Sequence, residues 1–288
     1  MWFIYALASA LFQVLRNMVM KRLGHALDET INVWGRFVFI LPFTGTAVLI
    51  VGLPTIDPHI WIVCVLFAIT QIIATQTLSY GLKLSDISLV TALWKLSVIF
   101  LLPWGLVTLG ERPAALGVVG VVVSVCGLYL LNVRRSQLSL WSPLVALVKD
   151  PGQRFTLVSA FFFAPSVVLM KKIVLMSDPF FATFIAYVFT SALITPYAIY
   201  KSGRHFRHVL RYWRGFVSLG AFAAVSTVFG SLAYELTFST YVESIKQVEI
   251  LFALGIGYFI FHERSRVQAI WPGALIMLAG LVMLKLWG

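Results

Sequence analysis

Charged and amide side chains inside an apolar stretch are the first residues in this sequence that could do chemistry. The stretch 241–264 is long enough to cross a bilayer as a helix. It nevertheless contains three ionisable residues and an amide, which are Glu243, Lys246, Glu249 and Gln247. Each ionised group at membrane depth costs about 2.5–3.5 kcal/mol. At helical spacing the three charges lie towards one side, so they can form a neutralising ladder on the wall of a buried cavity.

A second polar pair, Trp94 and Lys95, lies near the middle of another apolar stretch. An unpaired ammonium there is costly, so Lys95 is expected to pair with Glu243 or Glu249. Such a pair either ties the two halves of the chain together or binds a substrate carboxylate beside a Trp94 wall. Glu249 is in turn either a titrating group that couples protons to transport or a permanent partner of Lys246.

Other polar residues inside apolar stretches complete the predicted site. The predicted substrate-binding residues are Trp94, Lys95, Gln13, Asn17, Gln71, Gln76, Tyr80, Lys246 and Gln247. The predicted charge-pairing or coupling residues are Glu243, Glu249 and Arg36. No catalytic residues are predicted, because the apolar stretches hold no HExxH pattern, no paired histidines and no Ser/His/Asp set at one level. Neither a metal site nor a cofactor is predicted, and a GxxxxGK[ST] nucleotide loop does not occur.

The composition indicates which kind of protein must position these residues. Of the 288 residues, 60% are hydrophobic and only 11% are charged, whereas soluble proteins have about 25% charged residues. We therefore predict a polytopic protein of the cell membrane, either plasma or inner. The net charge of +11 indicates loops that bind anionic headgroups and set the orientation, and no nucleic-acid binding is predicted.

The apolar stretches predict ten membrane spans at roughly 20 residues per crossing. They are residues 2–20, 32–52, 60–82, 87–109, 114–132, 154–174, 180–200, 215–236, 240–261 and 268–286. An internal repeat divides them into two halves of five, since Ser9 and Asp28 recur as Ser159 and Asp178 at the same offset. Because five is odd, the halves must enter the membrane in opposite senses. The prediction is an all-α integral membrane protein with two inverted five-helix repeats around a central cavity.

The ends of the two halves carry the pattern of a known family. In each half a turn that contains Glu precedes a span with several glycines. In the first half Gly110-Glu111 is followed by Gly117, Gly120 and Gly127. In the second half His262-Glu263 is followed by Gly273 and Gly280. This pattern resembles the EamA-type branch of the drug/metabolite transporter superfamily, and the resemblance covers essentially the whole chain. It implies one EamA-like repeat at 1–135, a linker at 136–153 and a second repeat at 154–288. Both glutamates are interpreted as turn and helix-cap residues.

The resemblance implies a secondary-active transporter that works by alternating access. Its substrates would be small molecules, such as amino acids, related polar or aromatic compounds, or drugs. In this family the cavity is lined mainly by spans 1, 3, 4, 6, 8 and 9, and several of these are rich in polar groups here, whereas spans 5, 7 and 10 are almost purely apolar. The alternative is a membrane-embedded structural or sensor protein without transport activity. The oligomeric state is expected to be a monomer or a homodimer.

The charge distribution of the loops and the usual orientation of the family predict opposite orientations in the membrane. Most loop lysines and arginines lie on the side away from the N-terminus, which by the positive-inside rule places both termini outside. Family members instead usually have a cytoplasmic N-terminus and a basic loop after span 2, but residues 53–59 contain no Lys or Arg. In the loop 201–214 four arginines recur at three- and four-residue steps, which predicts a basic helical face against anionic lipid headgroups. They are Arg204, Arg207, Arg211 and Arg214.

Overall fold

The computed structural model describes residues 1–24, 26–85, 90, 93–135, 149–252 and 264–287. These residues form helices joined by turns, and no strand occurs within them. The helices are α1 (Trp2–Gly24), α2 (Glu29–Val38), α3 (Leu41–Val51), α4 (Ile60–Leu84), α5 (Ser97–Leu109), α6 (Ala115–Arg135), α7 (Pro151–Leu175), α8 (Pro179–Ser202), α9 (Phe206–Arg211), α10 (Trp213–Leu236), α11 (Ser239–Lys246) and α12 (Arg264–Trp287). A 3-10 turn, Gly203–His205, links α8 to α9.

Within the described residues, six stretches are long and apolar enough to cross a membrane by length and composition. They are Trp2–Gly24, Glu29–Val51, Ile60–Leu84, Pro151–Leu175, Pro179–Arg211 and Trp213–Leu236. Three shorter apolar helical stretches are Ser97–Leu109, Ala115–Leu130 and Pro272–Leu286. The chain is therefore a helical, multi-pass membrane protein.

Three of the predicted spans are interrupted where the sequence analysis expected continuous helices. The predicted span 32–52 consists of α2 and α3, separated at residues 39 and 40. Pro42 lies in the first turn of α3. Proline is tolerated in a first turn and cannot continue the preceding helix, which accounts for this break. The predicted spans 87–109 and 240–261 are also interrupted, and parts of both lie outside the described residues.

The described residues form two compact units, and each unit combines segments from both halves of the sequence. The first contains Met1–Ile72 and Leu169–Leu236, and the second contains Ile73–Val168 and Thr237–Gly288. The boundaries at 1–135, 136–153 and 154–288 stay a prediction. Most of the predicted linker lies outside the described residues.

In the first unit α1 packs along α10. Ser9 Oγ donates to the carbonyl oxygen of Ser226 at 2.7 Å, and Ser226 Oγ donates to the carbonyl oxygen of Ser9 at 2.9 Å. Both side chains are buried. Small hydroxyl residues allow two membrane helices to approach closely and to satisfy their polar groups across the contact. In the second unit Ser159, the repeat counterpart of Ser9, donates to the carbonyl oxygen of Ala74 at 2.7 Å.

The repeated aspartates have the same structural role. Asp28 caps α2 by accepting from the backbone N–H of Thr30 at 3.2 Å. Asp178 caps α8 by accepting from the backbone N–H of Phe180 at 2.8 Å. An N-cap carboxylate satisfies one of the backbone donors that a helix leaves unpaired at its start. The charged positions of the repeat therefore mark equivalent helix starts.

In the second unit α6 packs against α12 with almost no space between the backbones. A Cβ added at Gly127 would lie 2.2 Å from the backbone nitrogen of Met277. A Cβ added at Gly280 would lie 2.3 Å from the backbone nitrogen of Ser124. The glycines of the two similar spans thus form a close helix crossing, as small residues do in membranes.

Candidate functional site

A turn interrupts the helical path just before α5 in the second unit. Residues 93 and 94 are helical, residues 95 and 96 form the turn, and α5 follows. The backbone N–H of Leu96 donates to the carbonyl oxygen of Leu93 at 3.1 Å, which is a three-residue step instead of the α-helical four. This turn carries Lys95.

A matching turn follows α11 in the other half of the sequence. Residues 247 and 248 form it, and residues 249–252 are helical again. The backbone N–H of Val248 donates to the carbonyl oxygen of Ile245 at 3.0 Å, again a three-residue step. Neither turn contains glycine or proline. Discontinuous helices in the two halves of a membrane protein commonly border a binding site.

An ion pair joins the two interrupted helices. Lys95 Nζ donates to Glu249 Oε1, and each side chain is only 11% exposed. Glu249 is one of the two partners expected for Lys95 from the sequence. A second ion pair lies within α11, where Lys246 Nζ donates to Glu243 Oε1 at 2.5 Å. In each pair a partly exposed lysine neutralises a buried carboxylate, so neither carboxylate is left without a counter-charge.

An aromatic wall lies beside the ion pair. The Nζ atom of Lys95 is 5.3 Å from the centroid of the Trp94 ring, a cation–π distance. The Phe163 ring of α7 lies 5.0 Å from the Trp94 ring at an angle of 58°. Sequence reasoning missed Phe163, and its only signal was the run of three phenylalanines that ends there. The wall thus contains the rings of Trp94, from the first half of the sequence, and Phe163, from the second half.

Several buried polar atoms here have no hydrogen-bond partner within the described part of the chain. Gln247 is 3% exposed, and neither its Nε2 nor its Oε1 is paired. Gln76 Nε2 and Trp94 Nε1 are also unpaired. A buried polar group without a partner costs about 1–3 kcal/mol. A bound polar molecule would supply the missing partner at Gln247. Gln153, at the start of α7, has the same unpaired amide atoms.

Glu111 fixes the start of α11. Gly110 adopts a left-handed conformation (φ 65°) at the end of α5, which glycine allows without strain, and the chain turns there. The buried Glu111 then accepts from the backbone N–H of Ser239 at 3.0 Å and from Ser239 Oγ at 2.8 Å. Glu111 therefore caps a helix of the opposite half. The corresponding Glu263 lies outside the described residues.

The remaining predicted residues lie on other helices. Gln76 is buried on α4 of the second unit, and the Tyr80 ring on the same helix lies 5.8 Å from the Phe155 ring at an angle of 41°. Four belong to the first unit, namely Gln13, Asn17, Arg36 and Gln71. Asn17 is exposed and accepts from Arg16, whereas Gln71 is buried, and Gln13 and Arg36 are partly exposed. Direct contacts thus join Trp94, Lys95 and Glu249, and direct contact also joins Glu243 and Lys246.

Comparisons with known proteins agree with this architecture. The model of the EamA-like transporter family matches residues 1–133 and 151–286. One solved structure, described only as the crystal structure of a protein, shares 14% identity, with a TM-score of 0.73, and the match covers 99% of this chain and 95% of that chain. At that identity the likeness shows the fold alone. No curated protein matches the chain.

Proposed function

Because the chain belongs to the EamA-like transporter family, we propose that it is a secondary-active carrier of small metabolites in the cell membrane. It moves its substrate by alternating access, in which a single site opens to one side of the membrane and then to the other. The substrates that its polar groups fit best are amino acids or related polar and aromatic compounds.

The observation that carries this proposal is the ion pair between Lys95 and Glu249 at two interrupted helices. A membrane protein that only needed to be stable would gain more from apolar residues of the same size at these positions. Buried ionisable groups in membrane segments are rare and mostly serve substrate or ion pathways. The buried amide of Gln247, two residues before Glu249, has no partner within the described ranges, and this supports the same interpretation.

The proposed architecture is ten spans in two inverted halves of five. Three parallels between the halves support it. Asp28 and Asp178 cap equivalent helices, Ser9 and Ser159 occupy equivalent helix contacts, and a turn interrupts the chain in each half. Inverted repeats with interrupted helices are a frequent architecture of secondary transporters.

The proposed substrate class follows from the charges. A zwitterion carries a carboxylate that can take the place of Glu249 beside Lys95, and an ammonium that can take the place of Lys95 beside Glu249. The exchange replaces one buried ion pair with two, so no charge is left without a partner. The rings of Trp94 and Phe163 provide a flat apolar surface for the rest of the molecule.

The test is transport by the purified full-length chain in proteoliposomes. Loaded vesicles are offered a panel of radiolabelled amino acids, and exchange is measured for the wild type, Lys95→Ala and Glu249→Gln. We expect exchange of at least one amino acid, lost in both variants. Arg112→Ala, which removes an exposed cation away from the ion pair, is the matched control and should retain exchange.

The same assay contains the outcomes that contradict the proposal. If the folded wild type moves no member of the panel, and the two variants change only its thermal stability, the ion pair is structural. The protein would then be a membrane-embedded structural or sensor protein. Repeating the exchange with and without an imposed pH gradient tests whether Glu249 couples protons, and indifference to the gradient would remove that role.

A further inference from the structure

The segment between α8 and α10 presents a row of cations to its surroundings. Its exposed cations are Arg204, Arg207 and Arg211, and two more exposed cations flank it, Lys201 at the end of α8 and Arg214 at the start of α10. The sequence from 201 to 214 contains no Asp or Glu. The 3-10 turn and α9 place the arginines at three- and four-residue steps, so that the side chains of residues 204, 207 and 211 follow one stripe.

The opposite side of the segment is fixed to the first unit. Val209 is buried in a cluster with Leu27 and Phe216, among other apolar residues. The Phe206 ring packs edge-on against the Trp34 ring, with 4.8 Å between the centroids. Apolar packing on the opposite face therefore fixes the backbone that carries the arginines, so that less backbone freedom is lost when an anion binds.

A polar contact fastens the beginning of the segment. Ser202 Oγ donates to Asp28 Oδ2 at 2.5 Å, and Asp28 also caps α2. Asp28, which lies beside the arginine stripe, thus accepts hydrogen bonds from Ser202 Oγ and from the backbone N–H of Thr30. Its carboxylate is held at the helix start, while the arginine side chains remain exposed.

The place of the segment in the chain puts the stripe at a membrane surface. It forms the end of the candidate span Pro179–Arg211 and leads into the candidate span Trp213–Leu236. The first of these has 33 residues, more than the roughly 20 that cross the hydrocarbon core, so its basic end lies beyond the core. Large apolar and aromatic side chains are exposed next to the arginines: Tyr200, Leu210 and Trp213. Aromatic residues of this kind are typical of the headgroup level.

We propose that this surface, the 201–214 basic surface, binds the phosphate of an anionic phospholipid. Arginine binds phosphate oxygens through paired N–H donors, and the exposed Leu210 and Trp213 can contact the acyl region of the same lipid. A free phosphate offers the arginines the same oxygens but leaves these apolar side chains without a partner. The ligand is therefore the lipid.

The test is the affinity of the detergent-purified full-length chain for short-chain phosphatidylglycerol and phosphatidylcholine, measured by native mass spectrometry. We expect the wild type to bind phosphatidylglycerol at least about tenfold more tightly, since each basic residue near a surface contributes about fivefold. The preference should be lost in the triple variant Arg204→Gln, Arg207→Gln, Arg211→Gln. It should survive in the matched triple variant Lys83→Gln, Arg112→Gln, Lys149→Gln, which removes three exposed cations elsewhere.

Three results would overturn the proposal. One is equal affinity of the wild type for the two lipids. This result alone would overturn the proposal, even if the triple variant fails to fold. Another is an equal loss in both triple variants, which would mean that only net charge matters. The third is thermal stabilisation by inorganic phosphate equal to that by phosphatidylglycerol, which would identify a soluble anion as the ligand. None of these readings depends on transport, so the proposed function and this inference can fail separately.

Discussion

Lys95 and Glu249 are 154 positions apart in the chain, yet their side chains form an ion pair. Each of them lies within two residues of a turn that interrupts a helix. The pair links the first half of the sequence to the second inside one compact unit. It therefore brings a polar residue of one apolar stretch into direct contact with a polar residue of another.

Breaking this ion pair should destabilise the protein more than removing it entirely. Lys95→Met and Glu249→Gln each leave a buried charge without its partner, and we expect a loss of about 3–5 kcal/mol for each. The double variant Lys95→Met, Glu249→Gln removes both charges and should lose less than either single variant. The measurement is thermal unfolding in detergent, as a double-mutant cycle. Equal and additive losses would mean that the two side chains do not interact.

Replacing Gln247 should stabilise the protein and impair transport. Gln247→Met keeps the side-chain length and removes two buried polar atoms that have no partner among the described residues, so we expect stability to rise by about 1–3 kcal/mol. If the amide binds substrate, exchange in proteoliposomes should fall by tenfold or more. Gln153→Met is the matched control, because it removes a buried amide that likewise has no partner in the described part of the chain, at the start of α7. It should raise the melting temperature while exchange stays intact. A loss of exchange in both variants would contradict a specific role for Gln247.

Adding a single methyl group at the α6–α12 crossing should destabilise the protein. In Gly127→Ala and Gly280→Ala the new Cβ would meet backbone atoms, which cannot rotate away. We expect a loss of about 1–3 kcal/mol for each variant, measured as a lower melting temperature in detergent. Gly203→Ala is the control, since nothing lies within 4 Å of its added Cβ. Unchanged stability at Gly127 and Gly280 would mean that the two helices are farther apart.

The N-cap of α2 should make stability depend on pH in the acid range. Partial burial disfavours the charged form of Asp28, but hydrogen bonds from Ser202 and Thr30 outweigh it, so the pKa of this carboxyl lies below its usual value of 3.8. A lowered pKa in the folded state means that the carboxylate stabilises the protein above the unfolded-state pKa. This contribution is lost as the pH falls through the lower folded-state value.

Asp28→Ala should therefore cost about 0.5–2 kcal/mol at neutral pH, as the loss of an N-cap does. The difference from the wild type should shrink as the pH falls below about 4. Melting temperatures across a pH series measure it, and Asp28→Asn, which keeps a capping oxygen without titrating, should lose less and show no shrinkage. A difference that stays constant down to pH 3 would mean that the carboxylate is not the stabilising form.

Much of the candidate site could be predicted from the sequence, because charges in apolar stretches have few tolerable arrangements. The ammonium of Lys95 requires a carboxylate as its partner, and only a few carboxylates lie in the predicted spans. Gly110 and Glu111 were recognised as a turn from the family pattern, and the structure shows the same turn. The family itself was predicted correctly from the doubled pattern at the ends of the two halves.

The interruptions at residues 95–96 and 247–248 could not be predicted, because neither turn contains the glycine or proline that usually marks a break. The contact of Phe163 with Trp94 joins residues from different helices, and helical periodicity says nothing about which helix packs beside another.

The sequence by itself determined the membrane class, the repeat and the residue types of the site, since hydropathy and spacing depend only on the order of residues. Only the tertiary structure decided that Glu249 pairs with Lys95, that Glu111 caps the helix of the opposite half, and that the Gln247 amide has no partner among the described residues. These relationships depend on distances between segments far apart in the chain, which helix packing alone sets.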